Sequence, residues 1–104
     1  MTIQELVRFH RDRWIKSGDF GMPDLKDCLD FMVCEAGEAI DARLRLDPKY
    51  IRNNEKDSAI YKIAIELFDV IMMACTALDI LGFDLMDVAR DKLHRMDVKR
   101  GIEE

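Results

Sequence analysis

Two segments of this 104-residue chain with helical spacing carry acids where a core would otherwise run. One reads Phe31-Met-Val-Cys-Glu35-Ala-Gly-Glu38-Ala-Ile40, the other Ile63-Ala-Ile-Glu66-Leu-Phe-Asp69-Val-Ile-Met-Met-Ala. In each, two carboxylates three residues apart share one helix face and can converge on a single point. Taking an ionised carboxylate out of water without a partner is costly, so such groups are paired, protonated or metal-bound. Four of them facing one another repel and raise each other's pKa unless cations are present. All four are oxygen donors with no His or Cys at matching spacing, which selects hard cations, Mg²⁺ or Mn²⁺, over zinc. Four negative charges exceed one divalent ion, so two metals, or one metal plus a cationic side chain, are the natural complement.

The rest of the chain reads as helix. Five Gly and two Pro leave few turn formers, and 49% hydrophobic residues argue against disorder. Thr2 and Glu5 form a capping-box pattern before Ile3, Leu6, Val7, His10 and Trp14, which recur at helical spacing over about residues 3–16. A connector at 17–23 leads to Asp24, a cap for a helix reaching about residue 46, with Leu25, Cys28, Leu29, Met32, Val33, Ala36, Ala39 and Ile40 apolar. Asp47-Pro48 reads as a cap and first-turn proline before the polar stretch 52–57. A third helix spans about 58–81 and ends at Gly82; Asp84 opens a fourth with Leu85, Val88, Ala89, Leu93 and Met96 on one face. The chain length predicts a single domain over 1–104.

Charge and targeting narrow the function. Sixteen Lys and Arg against 21 Asp and Glu give a net charge of −5, which disfavours binding a nucleic acid polymer through its phosphates. The longest uncharged run of the third helix, 70–78, is well short of the ~20 residues that cross a membrane. No signal peptide is evident, and Cys28, Cys34 and Cys75, with no C-x-x-C pair, read as reduced core residues of a cytoplasmic protein.

The spacing Glu35-x-x-Glu38, then Glu66-x-x-Asp69, resembles the E-x-x-E…E-x-x-D signature of the MazG-like, all-α nucleoside triphosphate pyrophosphohydrolases. Glu35-Ala-Gly-Glu38-Ala is similar to that family's E-x-G-E-L segment, and Glu66-Leu-Phe-Asp69-Val-Ile to its E-L-x-D-h-h segment. The tail, an apolar helix, Gly82, an amphipathic helix and a basic end, is also similar, so the resemblance covers about residues 20–100. Two positions depart: Cys34 stands where many members carry a further Glu, and Lys99 where some nucleotide-selective relatives carry Asn.

The resemblance implies a four- to five-helix all-α bundle completed by dimerisation, as a homodimer or homotetramer. It implies Mg²⁺-dependent hydrolysis (Mn²⁺ being the alternative ion) of a (deoxy)nucleoside triphosphate to monophosphate and pyrophosphate, in nucleotide-pool housecleaning. Glu35, Glu38, Glu66 and Asp69 would hold metal, with Glu38 ahead of Glu35 as the group that orients or deprotonates water. Lys92, Arg95, Lys99 and Arg100 are expected to neutralise outer phosphates, and Trp14 to stack on a base. Two other readings stand beside it. One is a phosphoribosyl-ATP pyrophosphatase-like enzyme; the other is a non-catalytic helical interaction module whose acids pair with Arg43, Arg45 and Lys62.

Overall fold

The computed structural model describes residues 1–47, 49 and 56–104, and these form four helices with no strand among them. They are α1 (Ile3–Ser17), α2 (Leu25–Leu44), α3 (Lys56–Leu81) and α4 (Leu85–Lys99). Pro48 and residues 50–55 lie outside the described residues, so most of the expected turn after Asp47 does too; within them, Asp47 Oδ1 accepts the Lys49 amide at 2.9 Å.

Local chemistry sets the helix ends. The side chains of Thr2, Asp24 and Asp84 accept from the amides of Glu5, Asp27 and Asp87, satisfying donors that a helix N-terminus leaves unpaired. Gly82 closes α3 with φ +80°, a left-handed conformation that costs glycine little. There the Phe83 amide reaches back to the Leu78 carbonyl at 2.9 Å, as in a Schellman motif.

The main packing unit is an antiparallel α2–α3 hairpin, with α1 laid on α3. Its core is thin, built from Cys28, Met73 and Ala77 with Leu25, Met32 and Met72 against them. The apolar positions expected for α2 divide between two faces. Cys28 and Ala42 are buried and Leu25, Met32 and Ala39 half-buried toward α3, while Leu29, Val33, Ala36 and Ile40 point outward. This division corrects one sequence expectation: Cys28 and Cys75 are buried free thiols, but Cys34 is exposed, on the side of α2 turned from α3.

The buried face of α1 also differs from the expected stripe. Gln4, Val7 and Arg11 are buried, while Ile3, Leu6 and Trp14 are 39–46% exposed. The polar pair is buried because it meets Asp79 near the end of α3. Asp79 accepts from Gln4 Nε2 at 2.9 Å, Arg8 Nη2 at 2.6 Å and Arg11 Nη2 at 2.9 Å. Gln4 Nε2 also donates to the Phe83 carbonyl, and Gln4 Oε1 accepts from the Leu85 amide at 2.6 Å. One side chain thereby ties α1 to the corner between α3 and α4. Burial opposes ionisation of Asp79, but the bonds from Arg8, Arg11 and Gln4 prevail and hold its carboxyl below the usual range.

Asp79→Ala is therefore expected to cost about 3 kcal/mol, because Arg11 would be left buried without its counter-charge. A urea midpoint measures this, and a loss below about 1 kcal/mol, the scale of a surface pair, would contradict the burial argument. The wild-type contribution is present above the ordinary carboxyl value of 3.8 and is lost as pH falls through the lower folded value.

The single chain does not close into a bundle. Its radius of gyration is 17.3 Å, against roughly 13 Å for a compact chain of this length. Its accessible surface is 8068 Å², where a compact monomer of 12.1 kDa would show roughly 6,000 Å². The open element is α4, which is absent from the well-packed helix pairs and leaves Met86, Val88 and Leu93 exposed. Among the described residues no helix is long and apolar enough to cross a membrane.

Candidate metal centre

The acids meet because of the hairpin register. Cys28 packs with Met73, and in an antiparallel pair, moving seven residues up α2 and seven back down α3 leads to Glu35 and Glu66. Seven residues is close to two helical turns, so both acids stay on the faces already in contact. Glu38, one turn on, joins them: one carboxylate oxygen from each of Glu35, Glu38 and Glu66 lies within 4.8 Å of the other two. Two ligands on opposite sides of a Mg²⁺ with 2.1 Å bonds stand about 4.2 Å apart, so small side-chain shifts would let these oxygens share one ion.

Burial rises across the trio. Glu38 is exposed, Glu35 half-buried and Glu66 buried at 7% exposure. The Glu66 Oε2 atom is buried with no hydrogen-bond donor, an arrangement a cation would relieve. Asp69 is half-buried one turn along α3 and close enough to act on both Glu35 and Glu66. Among the described residues the cation in contact is Lys62, whose Nζ stands 3.9 Å from Glu66 Oε1 on the same helix. Four acids against one lysine leave the deficit that a divalent ion would balance, and the donor set fits Mg²⁺ or Mn²⁺.

Without metal, a proton supplies part of the balance. The Glu35 carboxyl is pushed up to about 7, first by its hydrogen bond to Glu66, then by burial and by the charges of Glu38, Asp69 and Glu66. Glu66 is held below its ordinary value, chiefly by that same bond from Glu35; burial opposes this, and Glu38, Lys62 and Asp69 add to it.

The sign of the pH dependence follows. Between 4.5 and about 7 the folded chain keeps a proton on Glu35 that the unfolded chain has released, so metal-free stability falls as pH rises across that window. Glu66 acts the other way, with its contribution present above 4.5 and lost as pH falls through its lower folded value. Mg²⁺ bound at pH 6 is therefore expected to displace a proton into solution, and at pH 8 almost none. Calorimetric titration in buffers of different ionisation enthalpy counts those protons; equal release at both pH values would exclude Glu35 as the proton donor.

The other residues singled out by sequence are placed as follows. Trp14 is 41% exposed and lines a groove of about 270 Å³ with Leu6, Val7, His10, Phe68 and Met72, between α1 and the turn of α3 beside Asp69. Phe20 meets its ring edge-on at 6.1 Å and His10 is tilted against it at 6.2 Å. Lys92, Arg95, Lys99 and Arg100 are exposed on or just beyond α4, which the chain does not bring onto the acid hairpin. Arg95 pairs with Asp91 at 3.0 Å, and Arg100 Nη1 donates to the Met96 carbonyl. His94 pairs with Glu103 at 2.9 Å, outside the acid centre. Arg45 pairs within α2, with Asp41 at 3.9 Å, and makes no bridge to the acids of α3.

Sequence reading missed two features: the Asp79 clamp and a basic pocket formed by Arg45, Ser58, Ala59 and Lys62. Asp79 carried a signal, as a charge inside the most apolar segment, but nothing local marked Gln4 and Arg11 as its partners. Compared with known protein families, curated proteins and solved structures, the chain gives no match.

Proposed function

We propose that this chain is a Mg²⁺-dependent nucleoside triphosphate pyrophosphohydrolase of the MazG-like kind, cleaving free (deoxy)nucleoside triphosphates to monophosphate and pyrophosphate in nucleotide-pool housecleaning. The observation that carries it is the convergence of Glu35, Glu38 and Glu66 on one point, with a buried, donorless oxygen on Glu66. The signature spacing and local context of the acids support the same reading. Among the described residues salt bridging accounts for them poorly, since the one cation in contact there is Lys62, on the same helix as Glu66.

In this reading Glu35, Glu38, Glu66 and Asp69 hold the metal. When bound, it neutralises triphosphate oxygens and makes an attacking water more acidic. Glu38, the exposed member of the trio, is best placed to orient that water and accept its proton. The water oxygen forms a bond to the α-phosphorus, the bond from that phosphorus to the bridging oxygen breaks, and pyrophosphate leaves with the electron pair. Trp14, at the mouth of the groove beside Met72, would take the base.

A second copy belongs to the proposal. The chain exposes about 2,000 Å² more than a compact monomer of its mass, well above the ~800 Å² per partner of a standard interface. In a homodimer or homotetramer the partner would cover the outward apolar stripes and bring α4, with Lys92, Arg95, Lys99 and Arg100, toward an acid hairpin. The experiment is pyrophosphate release from a panel of NTPs and dNTPs with Mg²⁺, with Glu38→Gln as control. Release indistinguishable from the control would sink the enzymatic reading.

A further inference from the structure

A pocket of about 260 Å³ lies where the end of α2 meets the first turns of α3, lined by Arg45, Ser58, Ala59 and Lys62. Among the described residues, Arg45 and Lys62 bring cations to it, Ser58 a hydroxyl and Ala59 a methyl group. It abuts the metal centre, because Lys62 belongs to both: the residue lines the pocket, and its Nζ stands 3.9 Å from Glu66 Oε1. That distance is too long for a hydrogen bond, so the ammonium has donors to spare. Arg45 is tied only loosely, to Asp41 at 3.9 Å with both side chains about two-thirds exposed, and such a pair holds its guanidinium weakly. Ser58 lies in the first turn of α3, where helix amides place partial positive charge. In a chain of net charge −5, a concavity walled by Arg, Lys and Ser beside four acids is a local inversion of sign.

We propose that this pocket is the pyrophosphate subsite, in which Arg45, Lys62 and Ser58 bind the two outer phosphates of the substrate and then the pyrophosphate released. The inference rests on the hydrolase reading for the substrate's name, but the anion pocket itself does not. It assigns a direction to the substrate along α3. Residues 58–62 take the phosphate tail, Glu66 and Asp69 lie at the scissile region beside the metal they would hold, and Phe68 with Met72 border the groove of Trp14 for the base. Arg45 suits this role because its planar fork makes two parallel bonds to a phosphate, where Lys62 supplies a point charge.

The test is binding of inorganic pyrophosphate, with Mg²⁺ present, to the full chain by titration calorimetry, together with its inhibition of nucleotide hydrolysis. Arg45→Ala and Lys62→Ala are each expected to weaken pyrophosphate binding about tenfold, the scale of one charge-assisted contact. Arg45→Lys should fall between Arg45→Ala and wild type. Arg43→Ala, which removes an exposed cation from the same helix end but not from the pocket, is expected to leave the affinity within twofold. Melting curves of all variants check folding, and the side chains replaced are solvent-exposed. No binding to wild type, equal binding by wild type and Arg45→Ala, or an equal loss in Arg43→Ala would each overturn the assignment. Pyrophosphate bound through Arg45 and Lys62 by a chain that hydrolyses no nucleotide would keep the pocket and discard the hydrolase reading. Hydrolysis with no effect of either variant on pyrophosphate inhibition would do the reverse.

Discussion

Glu66→Gln is expected to abolish pyrophosphate release while raising the melting temperature of the metal-free protein at pH 8. Glu66 is the most buried of the converging acids, and its Oε2 atom has no donor. An amide there removes an anionic ligand from the metal, and a ligand worth several kcal/mol in the transition state corresponds to roughly a thousandfold in rate. At pH 8, where Glu35 has released its proton, the same substitution removes the repulsion of the Glu66 charge with Glu35 in the metal-free protein, and each kcal/mol regained moves the midpoint of a chain this size by about 4–8 °C. Wild type should gain stability on adding Mg²⁺ or Mn²⁺, and the variant should not. Scanning calorimetry with and without metal reads both effects. A variant that still responds to Mg²⁺ like wild type would place the metal site elsewhere.

The second large effect concerns assembly. Wild type is expected to run at about 24 kDa or more by light scattering, at least twice the 12.1 kDa of the chain. The cause is a pair of outward stripes at helical spacing, Leu29, Val33, Ile40 and Leu44 on α2 and Ile60, Leu67 and Ile71 on α3, each residue 45–73% exposed in the single chain. Apolar surface on this scale is retained where a partner covers it. Val33→Glu with Leu67→Glu touches nothing in the single-chain core, so a monomer would tolerate both. In a dimer they bury two charges per chain, and the double variant should dissociate to monomers and melt at least 10 °C lower, equivalent to roughly 2 kcal/mol. A monomeric wild type, or a double variant with unchanged mass and midpoint, would refute this assembly.

Much of the fold was legible because its rules are local. A Thr or Asp side chain reaches an amide three residues on, and Gly82 accepts a left-handed φ, whatever the rest of the chain does. Each of the four expected helices appears, with ends within about two residues. The faces were less legible. Leu29 and Val33 share helical spacing with Cys28 and Met32, and periodicity alone cannot say that α2 has one face against α3 and another turned outward. Cys34 misled for the same reason, since apolar neighbours in sequence do not specify which side of the helix is covered. In α1 the pattern favoured Ile3, Leu6 and Trp14, yet Gln4 and Arg11 are buried because Asp79, about 70 residues away, supplies their partner.

The sequence by itself determined the helices, their caps and the pairing of acids at i and i+3, because each depends on residues within one or two turns. Only the tertiary structure decided that Glu35 and Glu38 meet Glu66, that Glu35 keeps a proton up to about pH 7, and that Arg45 and Lys62 wall one pocket beside them. Those outcomes depend on the α2–α3 register, and register is set by the summed packing of Cys28, Met32, Met73 and Ala77, which no short window of sequence contains.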